Sequence, residues 1–205
     1  MELESSMKVC VYDINNFKYN GEKVESAYFE KRINEYKKAE NKTRTYASYL
    51  MLKYLTDKFY KLSLDSLDIV RDVTGKPGLT NNEFYFNISH SNNLVAVAVD
   101  KRPLGIDVQI VKEYDEKIAE RFFPKKIKKI NKQKPKNKNN FYTMCWTDFE
   151  SELKLFGSIE RMKENKKKIS KNPFKITDLE KNIYYLTISA IRMPFIKFIK
   201  LKELN

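Results

Sequence analysis

The chain has 205 residues, of which 41% are hydrophobic and 13% aromatic, and this composition excludes an intrinsically disordered chain. Its 40 Lys and Arg residues against 27 Asp and Glu give a formal net charge of +13. That surplus favours nucleic acid, an anionic membrane, an acidic protein or a phosphorylated ligand as partner, unless it simply reflects a lysine-rich proteome. No apolar run is long enough to cross a bilayer. The first residues lack a basic segment followed by an apolar one, and the two cysteines match no ligand or redox spacing, so we expect a cytoplasmic protein with no membrane association.

The first half of the chain is predicted to contain one strand, a helical region and then a group of strands. Apolar residues recur at helical spacing in the helical region, and two glycines and a proline mark a turn after it. Runs rich in valine, isoleucine and alanine predict the later strands. The predicted elements are a strand at 9–12, helices within 25–60, a turn at 73–79, and strands at 84–89, 94–99 and 104–108.

The second half begins with a helical pattern at residues 116–123. Residues 124–140 then contain eight lysines and no acid, which predicts an exposed loop or a frayed helix. A further helix is expected from Phe141 to Phe156, ending at Gly157. Apolar alternation in two runs around Pro194 predicts a final hairpin within residues 183–201.

The order of these elements repeats, because a helical stretch followed by a pair of strands occurs in each half. This repetition predicts an α+β fold of two similar lobes in a pseudo-twofold arrangement, each a small antiparallel sheet packed on helices. We place the boundary between an N-terminal lobe, residues 1–102, and a C-terminal lobe, residues 103–205.

Polar residues interrupt the first strand pair at Asn87-Ile88-Ser89-His90-Ser91, which contains the single histidine of the chain. A lone histidine is more often a surface or structural residue than a functional one. Here, however, it lies at a strand end between serines, where several donors can converge on one point, as an anion site requires.

Asp107 lies between Ile106 and Val108 on a strand that is predicted to be buried. A buried carboxylate is costly unless it is paired or holds a metal. Strand alternation points Gln109 to the same side as Asp107. The alternative interpretation is an aspartate at a strand end that caps the following helix.

Glu150 and Lys154 are four residues apart on the predicted helix and so lie on one face. The common reason for that spacing is an ordinary surface ion pair. The functional alternative places Glu150 on a metal ion and Lys154 on a phosphate that the metal also binds, because Mg²⁺ prefers oxygen ligands and substrate phosphates.

The order and spacing of four segments resembles the phosphopantetheinyl transferase superfamily, in its long, pseudo-dimeric surfactin-synthetase-type branch. The segments are Gly75-Lys76-Pro77, Phe86-Asn87-Ile88-Ser89-His90-Ser91, Gly105-Ile106-Asp107-Val108, and Trp146-Thr147 with Glu150-Ser151 and Lys154. The resemblance covers about residues 25 to 157. It implies a holo-[carrier protein] synthase that transfers 4′-phosphopantetheine from coenzyme A to a carrier-protein serine and releases 3′,5′-ADP.

By this resemblance, Asp107 and Glu150 would hold Mg²⁺ against the coenzyme A pyrophosphate, with Gln109 as a further ligand, directly or through water. Glu150 would also act as the base for the carrier serine. Lys154 and His90 would contact the phosphates. The resemblance assigns the remaining coenzyme A contacts to Arg44, Lys76, Pro77, Ser89 and, in a looser alignment, Lys31 or Arg32.

The chain departs from the family pattern at three places. Gln109 stands where a glutamate is frequent, and Phe149 stands where a lysine usually precedes the glutamate. An acid expected soon after Arg121-Phe122-Phe123 is missing. Because these changes leave Asp107 and Glu150 in place, we expect an active enzyme.

The partners implied by the resemblance are coenzyme A and an acidic apo carrier protein of fatty-acid, polyketide or nonribosomal-peptide synthesis, with no nucleic acid. The lysine-rich segment would steer such a carrier, or it would be a solvated loop without a partner. A chain that contains both lobes is expected to act as a monomer. Two alternatives remain, a coenzyme A-binding relative that has lost catalysis and, on charge and aromatic content, a protein that binds nucleic acid.

Overall fold

A computed structural model describes residues 6–165 and 169–201. The described residues form six α-helices: α1 (Ala27–Glu35), α2 (Ala39–Tyr60), α3 (Glu116–Phe122), α4 (Ile127–Asn131), α5 (Pro135–Phe156) and α6 (Ile159–Glu164). They form nine strands: β1 (Met7–Asp13), β2 (Ile69–Arg71), β3 (Pro77–Leu79), β4 (Tyr85–Ser91), β5 (Leu94–Asp100), β6 (Leu104–Ile110), β7 (Ser170–Thr177), β8 (Ile183–Ala190) and β9 (Ile196–Ile199). The α+β class predicted from the sequence is confirmed.

The first sheet has the strand order β4-β5-β1-β9 and separates two apolar layers. Strand β5 is buried along its whole length, which explains its valine and alanine run. Val95, Val97 and Val99 face a core that includes Phe29 of α1 and Leu52 of α2. Helices α1 and α2 therefore cover one face of this sheet.

The second sheet has the order β6-β8-β7, and its strands are antiparallel. Ile106 and Leu186 join Val9 and Ala96 of the first sheet in one buried cluster. The two sheets thus pack face to face, with α1 and α2 on the outside of the first sheet and α5 on the outside of the second.

Helix α5 lies unusually close to the second sheet. A Cβ atom added at Gly105 of β6 would stand 1.9 Å from the carbonyl oxygen of Ser151 and 2.6 Å from the amide nitrogen of Leu155. Ser151 Oγ lies 2.8 Å from Ser189 Oγ of β8. Small side chains on both elements therefore permit the close approach, and the buried hydroxyls satisfy one another.

The two sheets meet along β4 and β6 through side chains instead of a backbone ladder. Three amides of β6 donate hydrogen bonds to side-chain oxygens of β4. The pairs are Ile106 N with Asn87 Oδ1 (2.8 Å), Val108 N with Ser89 Oγ (3.1 Å) and Ile110 N with Ser91 Oγ (3.0 Å). These three bonds, the β4–β6 junction, join strands that the first and second sheets contribute separately.

The predicted hairpin within residues 183–201 is wrong. Strand β8 pairs with β6 and β7, whereas β9 leaves that sheet and pairs in parallel with β1 of the first sheet. Strand β7 was not predicted at all. The pseudo-twofold relation of the lobes and the boundary at residues 102 and 103 stay predictions, and β9 is a C-terminal element within the sheet that the N-terminal half builds.

The lysine-rich segment is more helical than predicted. Residues 124–126 form a 3₁₀ turn, α4 follows, and α5 begins at Pro135, six residues before the predicted start. Proline is favourable in a first helical turn because its missing N–H has no partner there. The predicted end at Gly157 is confirmed, since Gly157 adopts a left-handed conformation with φ of 82° after the last residue of α5. None of the described helices combines the length and the apolar character that a bilayer span requires.

Candidate active site

A cavity of about 250 Å³ lies where α1, α2, β4, β6 and α5 meet. Polar and aromatic side chains from the two helices form one wall, and the β4–β6 junction forms the floor. Its lining includes Tyr28, Arg32, Tyr36, Arg71, Pro77, Ser89, His90, Asp107, Gln109 and Lys154. We call this cavity the anion pocket.

Three of the predicted residues meet at the floor of the anion pocket. Lys154 Nζ lies 2.7 Å from Asp107 Oδ1 and 3.0 Å from Ser89 Oγ. Ser89 Oγ also donates to Asp107 Oδ1 at 2.9 Å. Strand β4, strand β6 and helix α5 each contribute one of these groups, and the close packing of β6 on α5 brings Lys154 within reach of Asp107.

The second carboxylate oxygen of Asp107 is the unusual atom of the site. Asp107 is only 6% exposed, and its Oδ2 has no hydrogen-bond partner within the described part of the chain. An unpaired buried carboxylate oxygen costs free energy unless a cation binds it. Asp107 therefore suits a hard metal ion such as Mg²⁺, which prefers oxygen donors.

Gln109 lies on the same side of β6 as Asp107, as strand alternation predicted. Its Nε2 donates to Ser91 Oγ at 2.7 Å, which fixes the orientation of the amide within the pocket wall. A hydrogen bond through the nitrogen leaves the amide oxygen as the atom that Gln109 can offer to a cation.

Glu150 is half-buried on α5 and lies close enough to Asp107 for the two charges to interact. Burial raises the pKa of the Glu150 carboxyl, and the negative charge of Asp107 raises it further, while Lys154 and Lys112 oppose the change. Two neighbouring carboxylates share a site more easily when a cation lies between them or when one is protonated. No group of three His, Cys, Asp or Glu residues with the geometry of a metal site occurs within residues 6–165 and 169–201.

His90 lies at the pocket wall with part of its surface exposed to solvent. The concave surroundings withdraw water from its ring, and this desolvation, with the positive charges of Arg44 and Lys154, lowers the His90 pKa to about 4. The imidazole is therefore neutral at pH 7 and donates one N–H. Arg44 itself donates from Nε to the carbonyl oxygen of Asn92 at 2.8 Å, and it lies near enough to His90 for its charge to act on the imidazole.

Of the two candidates on α1, the structure places Arg32 on the pocket wall, whereas Lys31 is exposed and does not line it. Arg32 is fixed by Glu35 and Tyr36, with 2.5 Å between its Nη1 and Glu35 Oε2. Arg71 of β2 reaches the same wall and lies over the Tyr28 ring at 5.8 Å. Two guanidinium groups therefore face the cavity.

Lys76 has a different environment from the one the sequence suggested. Its Nζ donates to the carbonyl oxygens of Lys154 (2.6 Å) and Leu104 (3.1 Å), so it ties the turn before β3 to α5 and β6. Burial lowers the Lys76 pKa to about 8. Pro77 contacts the anion pocket, whereas Lys76 lines two neighbouring cavities. The predicted contact of Lys76 with coenzyme A stays a prediction.

Sequence reasoning missed Tyr28, Tyr36 and Arg71 as pocket residues. The available signal was the spacing of Tyr28, Arg32 and Tyr36 at intervals of four, which places all three on one face of a helix. Arg71 lies on a short strand with an exposed pattern and carries no local signal.

Comparison with known proteins finds sequence similarity to one group of enzymes. The family model for the N-terminal part of 4′-phosphopantetheinyl transferases matches residues 21–102. The 4′-phosphopantetheinyl transferase psf-1 of Bacillus pumilus is 30% identical over 116 residues, which are 56% of this chain and 50% of that protein. The 4′-phosphopantetheinyl transferase Sfp of Bacillus subtilis strain 168 is 31% identical over 121 residues, 58% of this chain and 54% of that protein. The 4′-phosphopantetheinyl transferase gsp of Aneurinibacillus migulanus is 38% identical over 85 residues, 40% of this chain and 35% of that protein. The chain thus spans about half the length of these relatives, or less.

Proposed function

We propose that the chain is a member of the 4′-phosphopantetheinyl transferase family, to which it is similar in sequence, and that it transfers 4′-phosphopantetheine from coenzyme A to a serine of an apo carrier protein. The observation that carries the proposal is the meeting of Lys154, Asp107 and Ser89 within 3.0 Å at the floor of one pocket. A cation, a hydroxyl and a carboxylate with a free buried oxygen suit a phosphate-containing ligand and its metal ion.

Coenzyme A would bind through its phosphates. Lys154 and the neutral His90 would donate to the pyrophosphate, and Arg32 and Arg71 would neutralise phosphate charge at the opposite wall. Guanidinium groups bind phosphate through two parallel hydrogen bonds, which fixes orientation as well as energy. A ligand phosphate would compete with Asp107 for the ammonium of Lys154.

Asp107 and Glu150 would hold the magnesium ion of this site, with Gln109 as a neutral third donor, directly or through water. Bound there, Mg²⁺ would offset the negative charge on the phosphate under attack and on the departing nucleotide. The unpaired Oδ2 of Asp107 supports this assignment.

Glu150 would accept the proton of the carrier serine. The serine oxygen would attack the phosphorus that bears the pantetheine arm, the bond from that phosphorus to 3′,5′-ADP would break, and the nucleotide would leave with the electron pair. The raised pKa of Glu150 brings it nearer to the working pH, which favours general-base catalysis. Lys154 would hold the phosphates in line for this attack.

A second candidate is a coenzyme A-binding relative without transferase activity. Gln109 favours it, because a neutral amide is a weaker partner for a dication than a carboxylate. The two candidates share the binding pocket and differ only in turnover.

The test is incubation with coenzyme A, Mg²⁺ and a panel of apo acyl and peptidyl carrier domains, followed by intact-protein mass. We expect the wild type to add one phosphopantetheine to the carrier, and we expect Glu150→Gln, or omission of the metal, to abolish the addition. The matched control is Glu83→Gln, which removes the charge of an exposed glutamate distant in sequence from Glu150. This control should react like the wild type. Coenzyme A binding without transfer to any carrier would favour the second candidate.

A further inference from the structure

The two packed sheets are closed differently at their two sides. Along β4 and β6 they are joined by the β4–β6 junction, whereas the opposite side is formed by β9 of the first sheet and β7 of the second. There the rings of Phe198 and Phe174 contact each other across the gap, with centroids 5.0 Å apart and an interplanar angle of 80°. Within residues 6–165 and 169–201, no further strand pairs with the outer side of β9 or of β7. We call this side of the molecule, Phe174 with residues 191–200, the open edge.

Strand β9 directs one row of its backbone groups away from the sheet. It pairs with β1 in parallel, and Met7 N donates to the carbonyl oxygen of Phe195 at 2.9 Å. Because successive carbonyls of a strand point to opposite sides, those of Ile196 and Phe198 point away from β1. An extended chain laid along β9 can therefore hydrogen-bond to this row and extend the first sheet by one strand.

Large apolar side chains are exposed along the open edge. Ile191, Phe195 and Phe198 are 45%, 77% and 45% exposed. Ile196 lies on the same side of β9 as Phe198 and packs against the buried cluster between the two sheets. Exposed apolar side chains grouped at one place on a surface mark a site of interaction.

Basic side chains accompany these apolar ones. Arg192 and Lys200 are exposed and Lys197 is half-buried, and within the part of the chain that the structure describes none of the three has a carboxylate oxygen within 4.0 Å. Lys197 also stands directly opposite Lys8 of β1. Burial lowers the Lys8 pKa and the charge of Lys197 lowers it further, while Asp100 opposes the change. The open edge thus carries positive charge that carboxylates on an added strand would offset.

We infer that the open edge binds an extended acidic segment of another protein, which adds to the first sheet as a strand beside β9. Side chains alternate between the two faces of such a strand. Apolar side chains on one face would cover Phe198 and Phe174 at the gap between the sheets, and acidic side chains on the other face would meet Lys197. The site uses no residue of the anion pocket, so the inference does not depend on the proposed function.

An acidic strand fits the open edge better than a second copy of this chain or a membrane does. Pairing β9 with β9 of a second copy would bring the lysines of both strands together, and each copy carries a net charge of +13. Lipid offers no hydrogen-bond partner to the outward backbone groups of an edge strand. Lysines on the edge therefore oppose self-association and admit an acidic chain.

The test measures fluorescence anisotropy of a short labelled peptide in which glutamate and valine alternate. One edge variant of the full chain carries Lys197→Glu and Lys200→Glu, and its matched control carries Lys18→Glu and Lys163→Glu at exposed lysines elsewhere, so both have the same net charge. Three further peptides replace every glutamate by lysine, N-methylate the valines, or N-methylate the glutamates. Sedimentation velocity and flotation with vesicles of equal parts phosphatidylcholine and phosphatidylglycerol test the two other occupants.

We expect the wild type and the control to bind the glutamate–valine peptide saturably, and the edge variant to bind it about tenfold more weakly at low salt, because attraction is replaced by repulsion. The lysine peptide should not bind. A strand presents alternate N–H groups to each of its sides, so one of the two methylated peptides should lose binding while the other keeps it.

Equal affinity of the edge variant and the control for the glutamate–valine peptide would overturn the inference, as would unchanged affinity of both methylated peptides. Flotation of the wild type with the vesicles without peptide binding would assign the open edge to a membrane instead. A dimer of the wild type that does not bind the peptide would assign it to a second copy.

Discussion

Replacing Gly105 with alanine tests whether the close approach of β6 and α5 builds the active site. The new Cβ would stand 1.9 Å from the carbonyl oxygen of Ser151 and 2.6 Å from the amide nitrogen of Leu155. Both obstacles are backbone atoms of α5, so no side-chain rotation relieves the overlap. A separation of at least 3.0 Å requires α5 to move by about 1.1 Å, the difference between 3.0 and 1.9 Å.

The expected loss of stability follows from the contacts that this displacement of α5 would break. Overpacking costs about 1 to 3 kcal/mol. The buried hydroxyl pairs Ser151–Ser189 and Thr147–Thr187, at 2.8 and 2.9 Å, would stretch beyond hydrogen-bond length and cost about 1 kcal/mol each. We therefore expect the free energy of unfolding to fall by about 3 to 5 kcal/mol, which corresponds to about 6 to 20 °C in Tm for a chain of this size.

The assay is urea denaturation followed by circular dichroism, with Gly78→Ala as the control because a Cβ at Gly78 meets no atom within 4 Å. The same displacement moves Lys154 away from Asp107, so transfer activity should fall about 100-fold in whatever fraction remains folded. An unfolding free energy for Gly105→Ala within about 0.5 kcal/mol of the wild type would refute the reasoning.

Three further predictions concern the pocket. Glu150→Gln should raise Tm at pH 7 while it abolishes transfer. Because the Glu150 pKa is higher in the folded than in the unfolded protein, the wild type loses stability as pH rises from the unfolded pKa through the folded pKa. The gain in Tm from Glu150→Gln should therefore vanish at low pH, where the carboxyl is protonated in both states. A lower Tm for the variant at pH 7 would contradict this. His90 is the only histidine, so its NMR signal can be followed without assignment. It should titrate near pH 4 in the free protein, and Arg44→Ala should raise its pKa; a transition near 6.5 in the wild type would exclude the desolvated setting. Ser89→Ala leaves Val108 N unpaired and should cost about 2 kcal/mol in urea denaturation, whereas Ser63→Ala on an exposed loop should cost little.

The parts of the fold that the sequence predicts correctly are those with a strong local pattern. Strand β5 is an apolar run because sheet and helix layers bury it on both sides. Strand β6 was recognisable because Leu104, Ile106 and Val108 alternate along it. Strand β7 escaped prediction because it is an edge strand with an exposed pattern, in which Lys171, Pro173 and Lys175 resemble a loop. Strand β9 has four residues and a partner almost the whole chain away, and nothing local indicates which sheet it joins.

The residues of the candidate site, like the strands, differ in how well the sequence predicts them. Asp107, His90 and Ser89 were recognisable because they are polar where an apolar strand would be expected. Arg71 was not recognisable, because an arginine on a short, exposed strand usually faces solvent, and Arg32 was named only as one of two residues in a looser alignment. The fold places α1 and β2 beside the same cavity as the β4–β6 junction, and this brings both arginines to the wall of the anion pocket.

The β4–β6 junction has a consequence for how the two halves of the active site are held together. Ordinary strand pairing depends on backbone atoms that every residue supplies, so substitutions change its strength only slightly. Here the acceptors are the side chains of Asn87, Ser89 and Ser91, and each can be removed by a single codon change. The strength of this connection beneath the anion pocket can therefore change by one hydrogen bond at a time as the sequence varies. In related sequences with alanine or glycine at these three positions, the two sheets should separate more readily beneath the pocket.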